Sequence, residues 1–200
     1  MWQLGSAWSD EAALARAWSE ARPFPHLVVD DFVPADALAA MMEILDEEGV
    51  DPYEGDILSF EATPPSPRTD EMRALRDAFA AALAPVLARV TGAEITRVDM
   101  RAYAYRPGHY LLPHSDHQDG LERRLAYAYY LPTPEPPTGG ELELFAVRRE
   151  GEELVETTSA LVIEPRANRL VVFEVSDRSL HQVREVLAGL RLSLAGWFYP

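Results

Sequence analysis

The chain carries five histidines, His26, His109, His114, His117 and His181, and no cysteine. Two of the histidines sit where a metal could be held. His114-Ser-Asp116 follows a strand-like run and precedes a turn at Gly120. A histidine and an aspartate two apart on extended backbone point the same way, so both can reach one ion. His181 lies 67 residues further on, at the start of another strand-like run. A fold that joins those strands places two histidines and one carboxylate on one face of a metal. Such a donor set suits ferrous iron and leaves three adjacent coordination positions free. On its own, His-x-Asp also describes an ordinary turn.

Arg191 adds a second element. It follows His181 by ten residues, inside Gly189-Leu-Arg191-Leu-Ser193. That spacing lets a strand leave the metal, turn, and return on its neighbour, with Arg191 and Ser193 on one face. Its neighbours Leu190, Leu192, Leu194 and Trp197 are apolar. An arginine in such company needs a partner anion. The carboxylate of a small ligand fits the guanidinium fork; a structural ion pair with Glu174 or Glu185 is the other solution. Tyr127, Tyr129 and Tyr130 can be plain strand aromatics, with Tyr130 facing opposite to the other two. His109 and His117 read as rim or loop residues, and His26 as structural.

The elements that must position these groups change character near residue 94. Before it, the pattern is helical. Ser9 can cap a helix to about Ala21, with Leu14 and Trp18 on one face. His26–Asp30 reads as a short strand. Pro34 opens a second helix with Leu38, Met41, Met42 and Leu45 at i, i+3, i+4 and i+7. Residues 48–69, dense in Pro and Gly, read as a long irregular loop, a length that often marks a lid. Asp70 starts a long helix with Met72, Leu75, Phe79, Leu83, Val86 and Val90 on one side; Pro85 should kink or split it and Gly92 should end it. From Glu94 onward the period is two. Strand-like runs lie near 109–113, 124–131, 141–147, 154–163, 169–175, 180–186 and 191–198. Successive strands without intervening helices argue for an antiparallel sandwich or barrel. The class expected is α+β with a mainly β core.

Composition narrows the function. With 48% hydrophobic and 26% charged residues the 200-residue chain reads as a globular protein of one domain. The missing cysteines exclude disulfides and thiolate sites. All 18 basic residues are arginine, so no lysine nucleophile or phosphate-loop lysine exists. No basic leader and no run of about 18 apolar residues is present, so the cytoplasm is expected and a membrane role is not. The net charge of −15 disfavours nucleic acid. Residues 1–50 hold 10 acids against 2 bases, whereas residues 101–150 hold 7 against 6. The acidity sits forward, where it serves solubility or attracts a basic partner.

Several ordered stretches resemble a known family. Tyr105-Arg-Pro-Gly108 through His114-Ser-Asp116 is similar to the start of the core of Fe(II)/2-oxoglutarate oxygenases of the prolyl-hydroxylase branch. Leu125–Pro132, Gly139-Gly140-Glu-Leu-Glu-Leu-Phe145, Asn168–Phe173, His181-Gln-Val183, Arg191-Leu-Ser193 and Trp197-Phe198 continue the pattern to the C-terminus. Pro23–Phe32 also resembles that branch, especially the ribosomal prolyl hydroxylases and their bacterial relatives. The resemblance implies a double-stranded β-helix (jelly roll, cupin-like) over residues 94–200, buttressed by helical support and a lid segment in residues 1–93. It implies that His114, Asp116 and His181 bind Fe(II). It further implies that Arg191 and Tyr130 anchor 2-oxoglutarate, with Tyr105 near the metal-side end of the co-substrate and Ser193 and Trp197 in the pocket. O₂ is the oxidant, with ascorbate as a reductant.

The reaction so implied is hydroxylation of a C–H bond with release of succinate and CO₂. The substrate expected is a prolyl residue of a protein or peptide, with a free amino acid or natural product as the alternative. Asp116 favours hydroxylation over halogenation, which needs that coordination position vacated. A catalytically silent β-helix that only binds a partner is the rival of another class; it would be expected to lose a ligand or the arginine, and neither is lost. The chain is expected as a monomer or homodimer.

Overall fold

The computed structural model describes residues 2, 4–151 and 153–200. Three helices come from the first half. Helix α1 (Glu11–Glu20) starts one residue later than the Ser9 cap implies: Asp10 accepts from the Ala13 N–H at 2.9 Å and takes the capping role. Helix α2 (Ala35–Glu48) follows Pro34. Helix α3 (Asp70–Thr91) is capped by the Thr69 side chain and closed by Gly92 in the left-handed conformation. Pro85 does not split α3. It removes the N–H that would bond the Ala81 carbonyl, but both residues face solvent, where water can satisfy that oxygen. The buried row of α3 runs Phe79, Leu83, Leu87, Val90, so Leu87 takes the core place expected for Val86.

The strands are β1 (His26–Val29), β2 (Asp51–Gly55), β3 (Leu58–Ala62), β4 (Arg97–Val98), β5 (Arg101–Tyr105), β6 (Tyr110–His114), β7 (Leu125–Leu131), β8 (Thr138–Gly139), β9 (Leu142–Glu150), β10 (Glu153–Ile163), β11 (Leu170–Glu174), β12 (His181–Val183), β13 (Val186–Ala188) and β14 (Arg191–Tyr199). Ten of them form one antiparallel path, β1-β11-β7-β14-β5-β3-β6-β12-β9-β10, with β2 added to β3 and β4 to β14. The path curls. Phe173 on β11 meets the His181 ring on β12 with centroids 4.7 Å apart, although five strands in the path separate the two elements.

Residues 48–69 are therefore not an irregular loop. They hold the β2–β3 hairpin, and β3 inserts between β5 and β6. Pro52 is compatible with this because β2 pairs only with β3, so its missing N–H faces an edge. The first half supplies β1 to the sheet as well.

Each face of the sheet has its own core. The outer face packs on the helices: Phe79 of α3 lies 4.8 Å from the Tyr127 ring and 6.0 Å from Phe198. The inner face encloses Ala126, Ala128 and Tyr130 with Leu142, Leu144, Val171 and Phe173. Among the described residues no helix is long and apolar enough to cross a membrane.

Candidate active site

Register brings the first two groups together. On β6 and β12, His114 and His181 are direct cross-strand partners, with ring centroids 4.3 Å apart. Asp116 follows β6 by two residues, and Ser115 between them is tied by its hydroxyl to the Ser176 carbonyl at 2.8 Å. Asp116 Oδ1 lies 3.8 Å from His114 Nε2, and its Oδ2 lies 3.6 Å from His181 Nε2. One ligand atom from each residue falls within 4.8 Å of the other two. That spacing surrounds a point where one ion fits.

The ring tautomers suit a metal. His114 Nδ1 faces the Leu112 carbonyl at 2.9 Å, and His181 Nδ1 faces the Ser179 carbonyl at 2.9 Å. A carbonyl accepts only, so each Nδ1 carries the proton and each Nε2 turns a lone pair inward. Burial of His181 pushes its pKa down to about 4, despite the opposing pull of Asp116. It is thus neutral near pH 7, as a ligand must be. Arg123 steadies the carboxylate: its guanidinium donates to the Asp116 backbone oxygen at 3.1 Å and stacks 3.6 Å above Trp197.

Arg191 enters from β14. It is 3% exposed, and none of its contacts among the described residues is a carboxylate. Its guanidinium sits 4.8 Å from the Tyr105 ring and 4.9 Å from the Tyr130 ring, with a 3.3 Å bond to Ser193 Oγ. The ion pair with Glu174 or Glu185 does not form. Arg191 Nε and Tyr130 Oη are both buried without a hydrogen-bond partner. Burial raises the pKa of the Tyr105 phenol, against the opposing pull of Arg191, so Tyr105 stays a proton donor. Gly140 makes room for the arginine: a Cβ there would lie 2.9 Å from Arg191 Cδ.

These groups open onto a cavity of about 450 Å³, lined among others by Tyr105, His114, Asp116, His181, Arg191 and Ser193. Its walls also include residues that were not singled out from the sequence: Leu58 and Phe60 of the hairpin, Tyr103, Phe173, Arg101 and Arg123. Alternation along β5 from Tyr105 back to Tyr103 and Arg101 carried that signal. His26 and His109 take no part in the cluster. His26 bonds the Phe24 carbonyl and His109 caps a turn through Arg106.

Bound 2-oxoglutarate fits what these residues leave unsatisfied. It would offer one carboxylate to the orphaned Arg191 and Tyr130 polar atoms, and chelating oxygens to a metal held by the three converging ligands.

Known proteins agree with this geometry. The chain is 34% identical over 184 residues to the prolyl 3-hydroxylase OGFOD1 of Xenopus laevis, covering 88% of this chain and 35% of that protein. It spans only about a third of the length of the curated relatives it matches. The crystal structure of a Pseudomonas putida prolyl-4-hydroxylase superposes with a TM-score of 0.68 at 25% identity, covering 93% of this chain and 98% of that one. A prolyl hydroxylase of Trichoplax adhaerens, solved with a peptide fragment of hypoxia inducible factor, shares the fold with a TM-score of 0.70 at 16% identity, over 96% of this chain and 90% of that one. The curled sheet is therefore the expected double-stranded β-helix. Residues 100–199, which contain both cross-strand histidines, the aspartate and the unpaired arginine, match the 2OG-Fe(II) oxygenase superfamily, and the chain belongs to that family.

Proposed function

We propose that this chain is a 2-oxoglutarate-dependent dioxygenase that hydroxylates a prolyl residue of a protein or peptide. The observation that carries the oxygenase reading is Arg191, a buried cation without an anion, opening onto the same cavity as His114, Asp116 and His181. In this reading the three residues hold Fe(II) through two neutral Nε2 atoms and one carboxylate. Arg191 and Tyr130 grip the far carboxylate of 2-oxoglutarate, Ser193 orients the guanidinium, and Tyr105 shields the near end. Bound iron, 2-oxoglutarate and O₂ supply the oxidising power, with succinate and CO₂ as products. The protein contributes orientation and exclusion of water.

The prolyl substrate is supported by the relatives, which are prolyl hydroxylases in their own right. A polypeptide rather than a free amino acid is supported by exposed apolar side chains between β2 and β3 and on β6. Ile57 and Leu112 are exposed there, 49% and 41%, linked by a bond from the Leu112 N–H to the Ile57 carbonyl at 2.8 Å. The turn between β2 and β3, which reaches the cavity through Ile57, would close over such a segment as a lid, while β3 stays fixed between β5 and β6. The acidic front half would draw a basic polypeptide by long-range attraction. A complete ligand set and an arginine left open for an anion are features a silent binding module has no use for. We place the enzyme in the cytoplasm, with ascorbate as a reductant.

The test compares the proteomes of cells with and without the gene for a proline that gains one oxygen atom. A hydroxylated prolyl site that disappears with the gene supports the reading. Rapid turnover of free proline or another metabolite, with no modified polypeptide, decides for a small-molecule hydroxylase.

A further inference from the structure

Arginine supplies all 18 basic side chains of the chain, which makes their partners easy to trace. Twelve of them pair with carboxylates among the described residues. Arg16, Arg22, Arg124 and Arg178 are exposed, where water serves. Two remain: buried Arg191 and half-buried Arg101, and both line the one cavity.

Arg101 is held as a recognition group is held. Its Nε donates to the Thr63 carbonyl at 2.6 Å, and its guanidinium lies 4.8 Å from the Tyr53 ring and 5.3 Å from the Tyr103 ring. The Tyr103 phenol also interacts with this guanidinium, yet one terminal nitrogen, NH2, is buried with no acceptor in hydrogen-bond geometry. Leaving a donor of a charged group buried and unmatched is costly, so the group is built for a partner that arrives.

That partner is not the co-substrate. Arg191 pairs in register with Tyr105, and Arg101 lies four residues before Tyr105 on β5, roughly 13 Å along the strand. A 2-oxoglutarate that spans from Arg191 to the metal ligands has no carboxylate left for Arg101. The cavity walls carry Arg101, Arg123 and Arg191 against the single carboxylate of Asp116, inside a chain of net charge −15. The cavity thus opposes the sign of the surface around it, and a local positive field in a concave site concentrates anions.

We propose that Arg101 forms a second anion subsite, distinct from the co-substrate anchor, that binds a carboxylate of the substrate and so sets substrate choice. As a statement about substrate, it rests on the oxygenase reading above. A carboxylate meets the planar fork two oxygens at a time, which an amide cannot do. Two sources share that chemistry: an acidic side chain beside the target proline, or the carboxylate of a small prolyl compound. The surface acidity and the cavity arginine then act on different parts of a substrate, the first at a distance and the second in contact.

The probe is benzoate, with benzamide as its uncharged counterpart, titrated into protein loaded with Zn(II) and 2-oxoglutarate. The readouts are the binding constants and the Nε resonance of Arg101 by NMR. Benzoate should bind at least about tenfold more tightly than benzamide and shift that resonance. Arg101→Gln should erase the preference. Arg101→Lys should keep part of it, since charge survives and the fork does not. Equal binding of the two probes, or a preference that persists in Arg101→Gln, overturns the proposal. If Arg101→Gln does not fold, the wild-type preference, the Arg101 shift and the Lys variant decide.

A second set of probes names the source. Blocked prolyl peptides with Glu or Gln beside the proline are compared with N-acetylproline and its amide. A preference for the Glu peptide assigns the subsite to an acidic residue of a polypeptide. A preference for N-acetylproline alone assigns it to a small carboxylate. Loss of all binding to prolyl probes, with the benzoate preference intact, contradicts the prolyl reading and supports the subsite.

Discussion

Strand β7 carries three tyrosines, and its two faces use them differently. On the face toward the helices, Tyr127 donates to the Asp99 carbonyl at 2.9 Å and Tyr129 to Asn168 Oδ1 at 2.9 Å. Both rings are packed against Phe79 or Phe32. On the other face, Tyr130 is equally buried, yet its hydroxyl has no partner. The same holds around it for Arg191 Nε and Trp197 Nε1. Along β7 the helix-side hydroxyls are matched internally, whereas the cavity-side face leaves several polar atoms open. Buried polar groups are normally satisfied, so a cluster of open ones marks where a ligand completes the set.

That difference can be broken at its extremes first. Phe79→Ala removes an aromatic from the closed face and should cost about 3–5 kcal/mol of stability. Chemical denaturation would measure it, and the Fe(II) affinity of the molecules that stay folded should be unchanged. Asp116→Ala acts on the open face. It removes a ligand, where even groups outside the ligand set cost about 10–100-fold, so Fe(II) binding should weaken on the order of 10²-fold or more. Its melting temperature without metal should fall little or rise, since two histidines and a carboxylate no longer crowd one another. A large loss of metal-free stability in Asp116→Ala would blur the distinction between the faces.

The tyrosines give a closer test at smaller cost. Tyr129→Phe removes a matched hydroxyl and should lower stability by about 0.5–1.5 kcal/mol, with 2-oxoglutarate affinity unchanged. Tyr130→Phe removes an unmatched one. It should leave stability level or slightly raised and weaken 2-oxoglutarate by roughly 2–10-fold. If both variants behave alike, the two faces do not divide the labour as described.

Acid offers a further contrast on the strands bordering the site. Glu143 on β9 is matched: Arg184 donates to it at 2.7 and 2.9 Å and Gln182 at 2.6 Å. The Arg184 hydrogen bond, opposed by burial, holds its pKa near about 2, against an ordinary value of 4.5. A depressed carboxylate stabilises the fold fully above its unfolded value and loses that contribution as pH falls through the folded one. Stability should therefore decline between about pH 5 and pH 2, and Glu143→Gln should flatten that limb. Arg184 is half exposed, so solvent screening keeps the effect modest. A variant with an unchanged acid limb would remove Glu143 from the explanation.

Much of this was legible in the residues. Runs of Val, Leu, Tyr and Phe bounded by turn residues located β6, β7, β9, β10, β11 and β14 within a few positions, whether both faces are buried, as in β7 and β11, or most of the strand is exposed, as in β10. His114 and Asp116 follow from a two-residue spacing, and Arg191 from its apolar neighbours. The β2–β3 hairpin was not legible. Pro52, Gly55 and the prolines at 64, 65 and 67 carry turn chemistry; the last three follow β3, and β2 tolerates the first two as an edge strand for tertiary reasons a local window does not contain. The missed Arg101 and Arg123 differ from each other. Arginine is ordinarily a surface residue; the two-residue period of β5 pointed to Arg101, whereas Arg123 precedes β7 and only its tertiary contacts turn it inward.

The most direct measurement is an anaerobic titration of 2-oxoglutarate into the Fe(II)-loaded protein and into Arg191→Ala by calorimetry. The open face predicts saturable 2-oxoglutarate binding that requires Fe(II). In Arg191→Ala the affinity should drop at least about tenfold, from the loss of roughly 1.5–3 kcal/mol, while Fe(II) binding stays nearly intact. Affinity that is the same in both proteins, or independent of the metal, would contradict the assignment of this cavity.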